Sequence, residues 1–306
     1  MIVKLILSGS GVKPEMELKE PQNRNHLEDH WDKLIGGARL DDLYAAIAGG
    51  RERIFAQGLS QWAFCYGLAR LLPRIKRPVL LLTPSAKQAW QLHQSLSFFL
   101  GLSGPWTGDP LQCPLWLFPA ANRRMPVEPF VAPDVQAQRL AVLYVAAASN
   151  QEKIIVAPAQ AIMEKVLPRR HCMDASRYLV KGEEVRREEF ISHLVSIGYY
   201  RTDLVEEVGD LSVRGDIIDL FTPLYHQPLR LEFFDETLES IRFFNPSSQR
   251  SSEHLEDVIL IPTHEVLLDD SEKERTSTSL RLAWEKEEHC RRDLELWLER
   301  VSGSGH

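Results

Sequence analysis

The chain has 306 residues and a formal net charge of −7, with 44% hydrophobic and 26% charged residues. That is enough for two domains, or one domain with an insertion, and the composition is ordinary for a globular protein in water. The acidic balance excludes a chain whose main task is to grip a phosphate backbone by bulk charge, while leaving room for a local basic patch. No apolar run approaches the roughly 20 residues needed to cross a bilayer. The opening MIVKLILSGSG is too short and too weakly charged for a secretion signal. The four cysteines, Cys65, Cys113, Cys172 and Cys290, are scattered without a CxxC pair. They read as buried or incidental thiols of a cytoplasmic protein, not as a zinc site or a disulfide framework.

Residues 1–38 lack periodicity and carry mixed charges around Pro21, Asn23 and Asn25, which predicts a flexible arm. From residue 39 to 175 strands and helices alternate. Helices are expected at Leu40–Ala48, Gln61–Leu72 (stopping before Pro73), Ser85–Leu100, Gln136–Ala148 and Ala159–Leu167. Between them, Pro78–Pro84, Leu115–Phe118 and Lys153–Ala157 are short apolar runs typical of buried parallel strands. This order implies an α/β domain with helices on both faces of a mainly parallel sheet.

The segment Gln57–Tyr66 lies where a phosphate-binding loop would sit, after a short apolar run and before a helix. A working loop reads GxxxxGK(S/T). Here Gly58 takes the first glycine's place, but Ala63, Phe64 and Cys65 stand where glycine, lysine and the hydroxyl residue belong. Lysine is needed to reach the β/γ phosphates and the hydroxyl to hold magnesium. The loop is degenerate and non-functional on this reading, so neither ATP hydrolysis nor a cofactor is expected.

Residues 176–262 change character. After Tyr178–Val180 and a helix at Arg186–Ile197 that ends at Gly198, short strands follow at Leu204–Val208, Ser212–Arg214, Asp216–Phe221, Leu229–Phe234 and Leu238–Phe244. Gly209-Asp210, Gly215 and Asp235-Glu236 mark the turns. The result is an inserted α+β domain with an antiparallel sheet. In Leu229–Phe234 the residues Leu229, Leu231 and Phe233 share a core face; Arg230, Glu232 and Phe234 share the other. Arg230 and Phe234 then point the same way, about 13 Å apart. An aromatic beside an arginine on a solvent face means either a side chain half-covered by a loop or a protein-docking patch, which Arg214 can join from a neighbouring strand. LRLEFFDE also mimics a magnesium-binding strand with an acidic end, but its alternation places it in the antiparallel group. Residues 263–306 are read as a return to the first domain followed by a charged helix and the linker-like SGSGH.

The runs GYYRTDLVEEVGDLSVRGDIIDLF and PLRLEFFDETLESIRFFNPSSQR resemble the UvrB-homology module of the bacterial transcription-repair-coupling factors, the Mfd family. The family pattern has a GY-R segment, VEE-G, RG-(I/L)-DLF, R-(I/L)-(E/D)-FF and a closing SQR. UvrB has a related RG segment and R-EFF strand without the SQR ending. More weakly, the likeness spans residues 41–265, and ILIPTHEVLL resembles the family's LLPAHE segment. UvrB keeps an intact phosphate loop and the Mfd family a degenerate one, so the loop at Ala63–Cys65 sides with Mfd.

The resemblance implies a helicase-like, degenerate P-loop sheet domain carrying an inserted domain that binds UvrA. Arg214, Arg230 and Phe234 would be the contacts. It also implies partners reached elsewhere in a full-length protein, RNA polymerase and double-stranded DNA, and a C-terminal regulatory domain that covers the UvrA-binding surface at rest. Motor motifs are not found in these residues, so a fragment or a truncated homologue is expected. The alternatives are a UvrB-like ATP-dependent damage-loading protein, which needs a working phosphate loop, and a direct DNA-binding module using the small basic clusters Arg123-Arg124 and Arg169-Arg170-His171. No HExxH, GxSxG or metal-ligand spacing is present. The reading is therefore a non-catalytic adaptor.

Overall fold

The computed structural model describes residues 2–3, 37–50, 60–102, 104, 106, 108–121, 131–149, 152–267 and 274–279. They form two compact units. The first contains the described residues up to Asp174 together with Thr222–Gln227; the second contains Ala175–Phe221 and Pro228 onward. Most of the arm predicted at 1–38 and most of the terminal helix fall outside the described residues; within the arm, Ile2–Val3 is a strand paired with Leu80 and Leu81, not free chain.

In the first unit, helices α1 (Gly37–Ala48) and α2 (Gln61–Ile75) precede strand β2 (Val79–Thr83), and α3 (Ala86–Phe99) follows it. Serine hydroxyls start two of these helices. Ser60 accepts from the Ala63 N–H and Ser85 from the Gln88 N–H, satisfying donors that a helix start leaves unpaired. Helix α2 runs through Pro73, beyond the expected stop, and closes at Lys76 with φ 45°.

Strands β1 (Ile2–Val3), β2, β3 (Leu115–Leu117) and β4 (Ile154–Pro158) form one parallel sheet in the order β1-β2-β4-β3. Leu81, Leu115, Ile154 and Val156 pack on one face with Cys65, Leu92 and Leu96 from α2 and α3. On the other face Leu80, Trp116 and Ala157 pack with Val142 of α4 (Pro133–Ala148) and Ala161 of α5 (Ala159–Met163). Strands that are apolar on both faces are what a parallel sheet between two helix layers requires. Arg139 of α4 is fully buried. Its guanidinium donates to Glu164 at 2.9 Å and to the Pro119 carbonyl at 2.8 Å, and lies 4.6 Å from the centre of the Phe118 ring.

Helix α6 (Arg169–Ala175) leads to β5 (Arg177–Val180), which pairs antiparallel with β12 (Asp257–Leu260). Between them lie α7 (Arg187–Ser196) and a six-stranded sheet in the order β11-β10-β9-β8-β7-β6. Its strands are β6 (Tyr200–Arg201), β7 (Asp210–Arg214), β8 (Ile217–Leu220), β9 (Leu229–Phe234), β10 (Thr237–Phe244) and β11 (Ser251–Leu255). Every pair is antiparallel except β6–β7. Two-residue turns, Gly215-Asp216 and Asp235-Glu236, join β7 to β8 and β9 to β10; each opens with positive φ, 55° at Gly215 and 57° at Asp235. Leu211, Ile218, Leu229, Leu231 and Ile241 are buried on one face, where Phe190 of α7 meets Phe233 at 6.4 Å between ring centres.

Further expectations differ from this structure: α5, expected to reach Leu167, ends at Met163. Leu204–Val208 is a loop, not a strand, because the Asp210 carboxylate accepts from the Glu206 and Glu207 N–H groups at 2.9 and 2.8 Å and so folds a local turn. The segment from residue 263, read as rejoining the first domain, belongs in its described part to the second unit. There the Thr263 N–H donates to the Ile197 carbonyl at 3.1 Å, and the Tyr200 hydroxyl lies 3.1 Å from His264 Nε2.

The helix-ending Gly198 has φ +104°, and a Cβ there would overlap the His264 ring and stand 2.6 Å from Thr263 Oγ1. Gly198→Ala should destabilise the second unit by about 2 kcal/mol or more. Gly182→Ala, at φ +87° with open space around it, should cost only the backbone strain, about 1 kcal/mol; urea denaturation of both variants measures the difference. Burial pushes the His264 imidazole below its ordinary 6.5, as it does His93, His193 and His226. The unfolded chain then takes up protons first as pH falls, so stability is full above 6.5 and declines through the depressed range. Denaturation midpoints recorded at about pH 7.5 and about pH 5.5 should show that decline, and His264→Gln should flatten part of it.

Candidate functional site

The polar face of the six-stranded sheet is organised by cross-strand register. Asp219 on β8 lies opposite Ser212 on β7 and Arg230 on β9; Arg230 lies opposite Arg242 on β10. One step along, Arg214 is opposite Ile217, which is opposite Glu232. Phe234 ends β9 on the same face, beside the turn to β10.

Asp219 is 1% exposed, in a strand that is otherwise apolar. A buried carboxylate is costly unless it is paired and hydrogen-bonded. Here it takes three charge-assisted bonds. Arg230 grips it with both prongs, Nε to Oδ1 at 2.7 Å and Nη2 to Oδ2 at 2.8 Å, and Arg214 Nη2 donates to Oδ2 at 2.6 Å. Arg230 is held from its far side as well. Nη1 donates to the Gln249 carbonyl at 3.3 Å and Nη2 to Gln249 Oε1 at 3.4 Å, while the guanidinium lies 4.7 Å from the centre of the Phe244 ring. The turn that delivers Gln249 is tied by Asn245, whose Oδ1 accepts from the Ser247 and Ser248 N–H groups at 3.0 and 2.9 Å. Gln249 itself sits at φ 57°. The hydrogen bonds that Arg230 donates to Asp219 push its guanidinium above its ordinary value.

The structure therefore brings Arg214 and Arg230 together through a residue that the sequence reading did not single out. Arg230 points to the face expected of it, but its guanidinium is engaged within the chain and its side chain is 14% exposed. Arg214 is 50% exposed and Phe234 71% exposed. Glu232, between Arg230 and Phe234 on β9, is ion-paired with Arg242. Two sequence signals could have revealed this: Asp219 as the acid inside IIDLF, and Gln249 in the closing SQR.

In the segment expected as a degenerate phosphate loop, Gly58 lies outside the described residues. The Ala63 N–H is taken by the Ser60 hydroxyl at 3.2 Å. Phe64 packs against the first unit's core and Cys65 is fully buried within it, its thiol pushed up to about 12 by burial. Asp235 and Glu236 form the β9–β10 turn of the antiparallel sheet, not the end of a parallel strand. Of the basic clusters, Arg123-Arg124 is outside the described residues; Arg169 donates to the Ala147 carbonyl at 2.9 Å and Arg170 pairs with Asp174 at 3.4 Å. Cys172, beside His171, is buried, and its thiol is pushed up to about 11. Among the described residues no group of three His, Cys, Asp or Glu could hold a metal ion, and no helix is long and apolar enough to cross a membrane.

Asp219→Ala leaves two adjacent guanidinium groups without their shared carboxylate and should cost about 3 kcal/mol or more. Arg230→Glu would set a second carboxylate against buried Asp219 and should destabilise comparably, whereas Phe234→Ala should change stability by less than about 0.5 kcal/mol. Chemical denaturation of the three variants measures this ranking.

Residues 178–265 match the UvrB interaction domain family. The chain is 37% identical over 248 residues to a transcription-repair-coupling factor of Myxococcus xanthus, covering 80% of this chain and 20% of that protein. It is 32% identical over 240 residues to the Bacillus subtilis transcription-repair-coupling factor, covering 77% and 19%, and 28% identical over 257 residues to that of Escherichia coli, covering 84% and 21%. The chain spans about a fifth of the length of these curated relatives. Residues 178–265, which contain the Asp219-centred face, match the UvrB interaction domain family, and the chain is similar over about four fifths of its length to a stretch of the transcription-repair-coupling factors.

Proposed function

We propose that this chain is a non-catalytic adaptor module of transcription-coupled nucleotide excision repair, and that its second unit docks UvrA. The observation that carries this reading is the open polar face within residues 178–265, where half-exposed Arg214 and strongly exposed Phe234 stand on one side of the sheet. An arginine and an aromatic on a rigid sheet face are the residue types that dominate interface energies. The family match and the names of the relatives support the choice of partner. On this reading the docking domain runs from Ala175 through at least Val266. The first unit is a helicase-like sheet domain whose phosphate loop has become core packing. Contacts with RNA polymerase and double-stranded DNA fall to other regions of a longer, cytoplasmic protein.

Calorimetry with purified UvrA tests the docking. Phe234→Ala should weaken binding by about 2 kcal/mol or more if the ring fills a pocket on the partner, with its own fold intact. Arg214→Glu should weaken it by a similar amount by turning attraction into repulsion. If both variants stay folded and bind as tightly as the parent, the docking surface lies elsewhere. Titration with magnesium-ATP should give no heat of binding, since Phe64 and Cys65 offer neither the lysine nor the hydroxyl that the nucleotide needs. Micromolar binding would overturn the adaptor reading of the first unit.

A further inference from the structure

We infer that Asp219 is the positioning residue of the docking face, holding Arg230 as a fixed post and presenting Arg214 as the arm that meets the partner. This inference rests on the docking reading above and divides the work among its residues.

The two arginines differ in what they have left to give. Arg230 uses Nε, Nη1 and Nη2 within the chain, toward Asp219 and Gln249, and its plane lies over Phe244. Arg214 makes one bond, from Nη2 to Asp219, and its side chain is half exposed. Its Nε and Nη1 hydrogens have no partner among the described residues, which leaves donors in the guanidinium plane for a carboxylate on another protein. Two guanidinium groups this close repel each other, and the buried carboxylate between them removes that repulsion. It also pins an otherwise flexible side chain, so less conformational entropy is lost on binding. The partner surface implied is one that offers a carboxylate to Arg214 and an apolar recess to Phe234.

The substitution Asp219→Asn separates positioning from bulk charge by the sign of its effect. It keeps the shape, removes one negative charge and makes the face more cationic. If charge alone governs docking, UvrA with an acidic contact surface binds more tightly. If Asp219 positions Arg214, binding weakens, by about tenfold for a pre-organised charged contact. Calorimetry with UvrA is run on the parent, Asp219→Asn, Arg214→Gln and the double variant, at a temperature where circular dichroism shows all four folded. The expected result is that Asp219→Asn weakens binding in the parent background and adds no loss in the Arg214→Gln background, since it acts through Arg214. A merely structural role would subtract equally from both backgrounds. Should Asp219→Asn fail to fold, Arg230→Lys takes its place; it keeps the charge, loses the two-pronged grip, and should show the same coupling to Arg214. Binding by Asp219→Asn as tight as the parent's or tighter, or a loss undiminished by Arg214→Gln, overturns the inference. A parent chain that does not bind UvrA at all brings down the docking reading itself, and the positioning role with it.

Discussion

The second unit depends on one buried negative charge. Asp219 sits in the middle of a sheet, on a strand whose neighbours Ile218 and Leu220 are core, and its carboxylate is almost wholly removed from water. Such a group is tolerated only when its partners arrive from fixed directions. Arg214 comes from β7, Arg230 from β9, and the 245–250 turn closes behind Arg230 through Gln249. A register slip of one residue on β7 or β9 would turn that strand's arginine to the core face and strip the acid of that partner. The ion network and the hydrophobic alternation therefore specify the same strand pairing, which is the kind of agreement between levels that makes a fold unique.

The first unit repeats this logic with the charges reversed. Arg139 is buried between the Phe118 ring and Glu164, and Glu164 also accepts from the Ala121 N–H at 2.9 Å. The pair ties helix α4 to the segments that follow β3 and α5. On the opposite face of the sheet, the segment Ser60–Cys65 is used for capping and packing. Ser60 caps the helix start, so the amide of Ala63 serves the helix. Cys65 and Phe64 fill the space between α2, α3 and the sheet.

On the docking reading proposed above, the face is rigid where it need not move and exposed where it would meet a partner. The network immobilises Arg230 and leaves Phe234 and half of Arg214 in solvent. Interfaces gain affinity when their anchors are pre-organised, because less entropy is lost on binding. Glu232, paired with Arg242, stands between the cationic network and the aromatic and is neutralised there.

Much of this was written in the residue pattern. Short apolar runs flanked by Ser60, Ser85 and the glycines determined the parallel sheet, its helices and the turn positions, because burial on both faces and capping are local properties of a segment. Strict alternation in Leu229–Phe234 determined which face each side chain takes. Polar Ser251–Leu255 carries no such alternation, so its pairing with β10 was not legible. Nor was the loop at Leu204–Val208, where a single carboxylate at Asp210 outweighed strand-like composition. Only the tertiary structure decided that Arg230 is spent within the chain while Arg214 is partly free, and that the segment around His264 packs in the second unit. Alternation says which way a side chain points; what stands opposite depends on strands brought together from distant parts of the chain, and that information is not local.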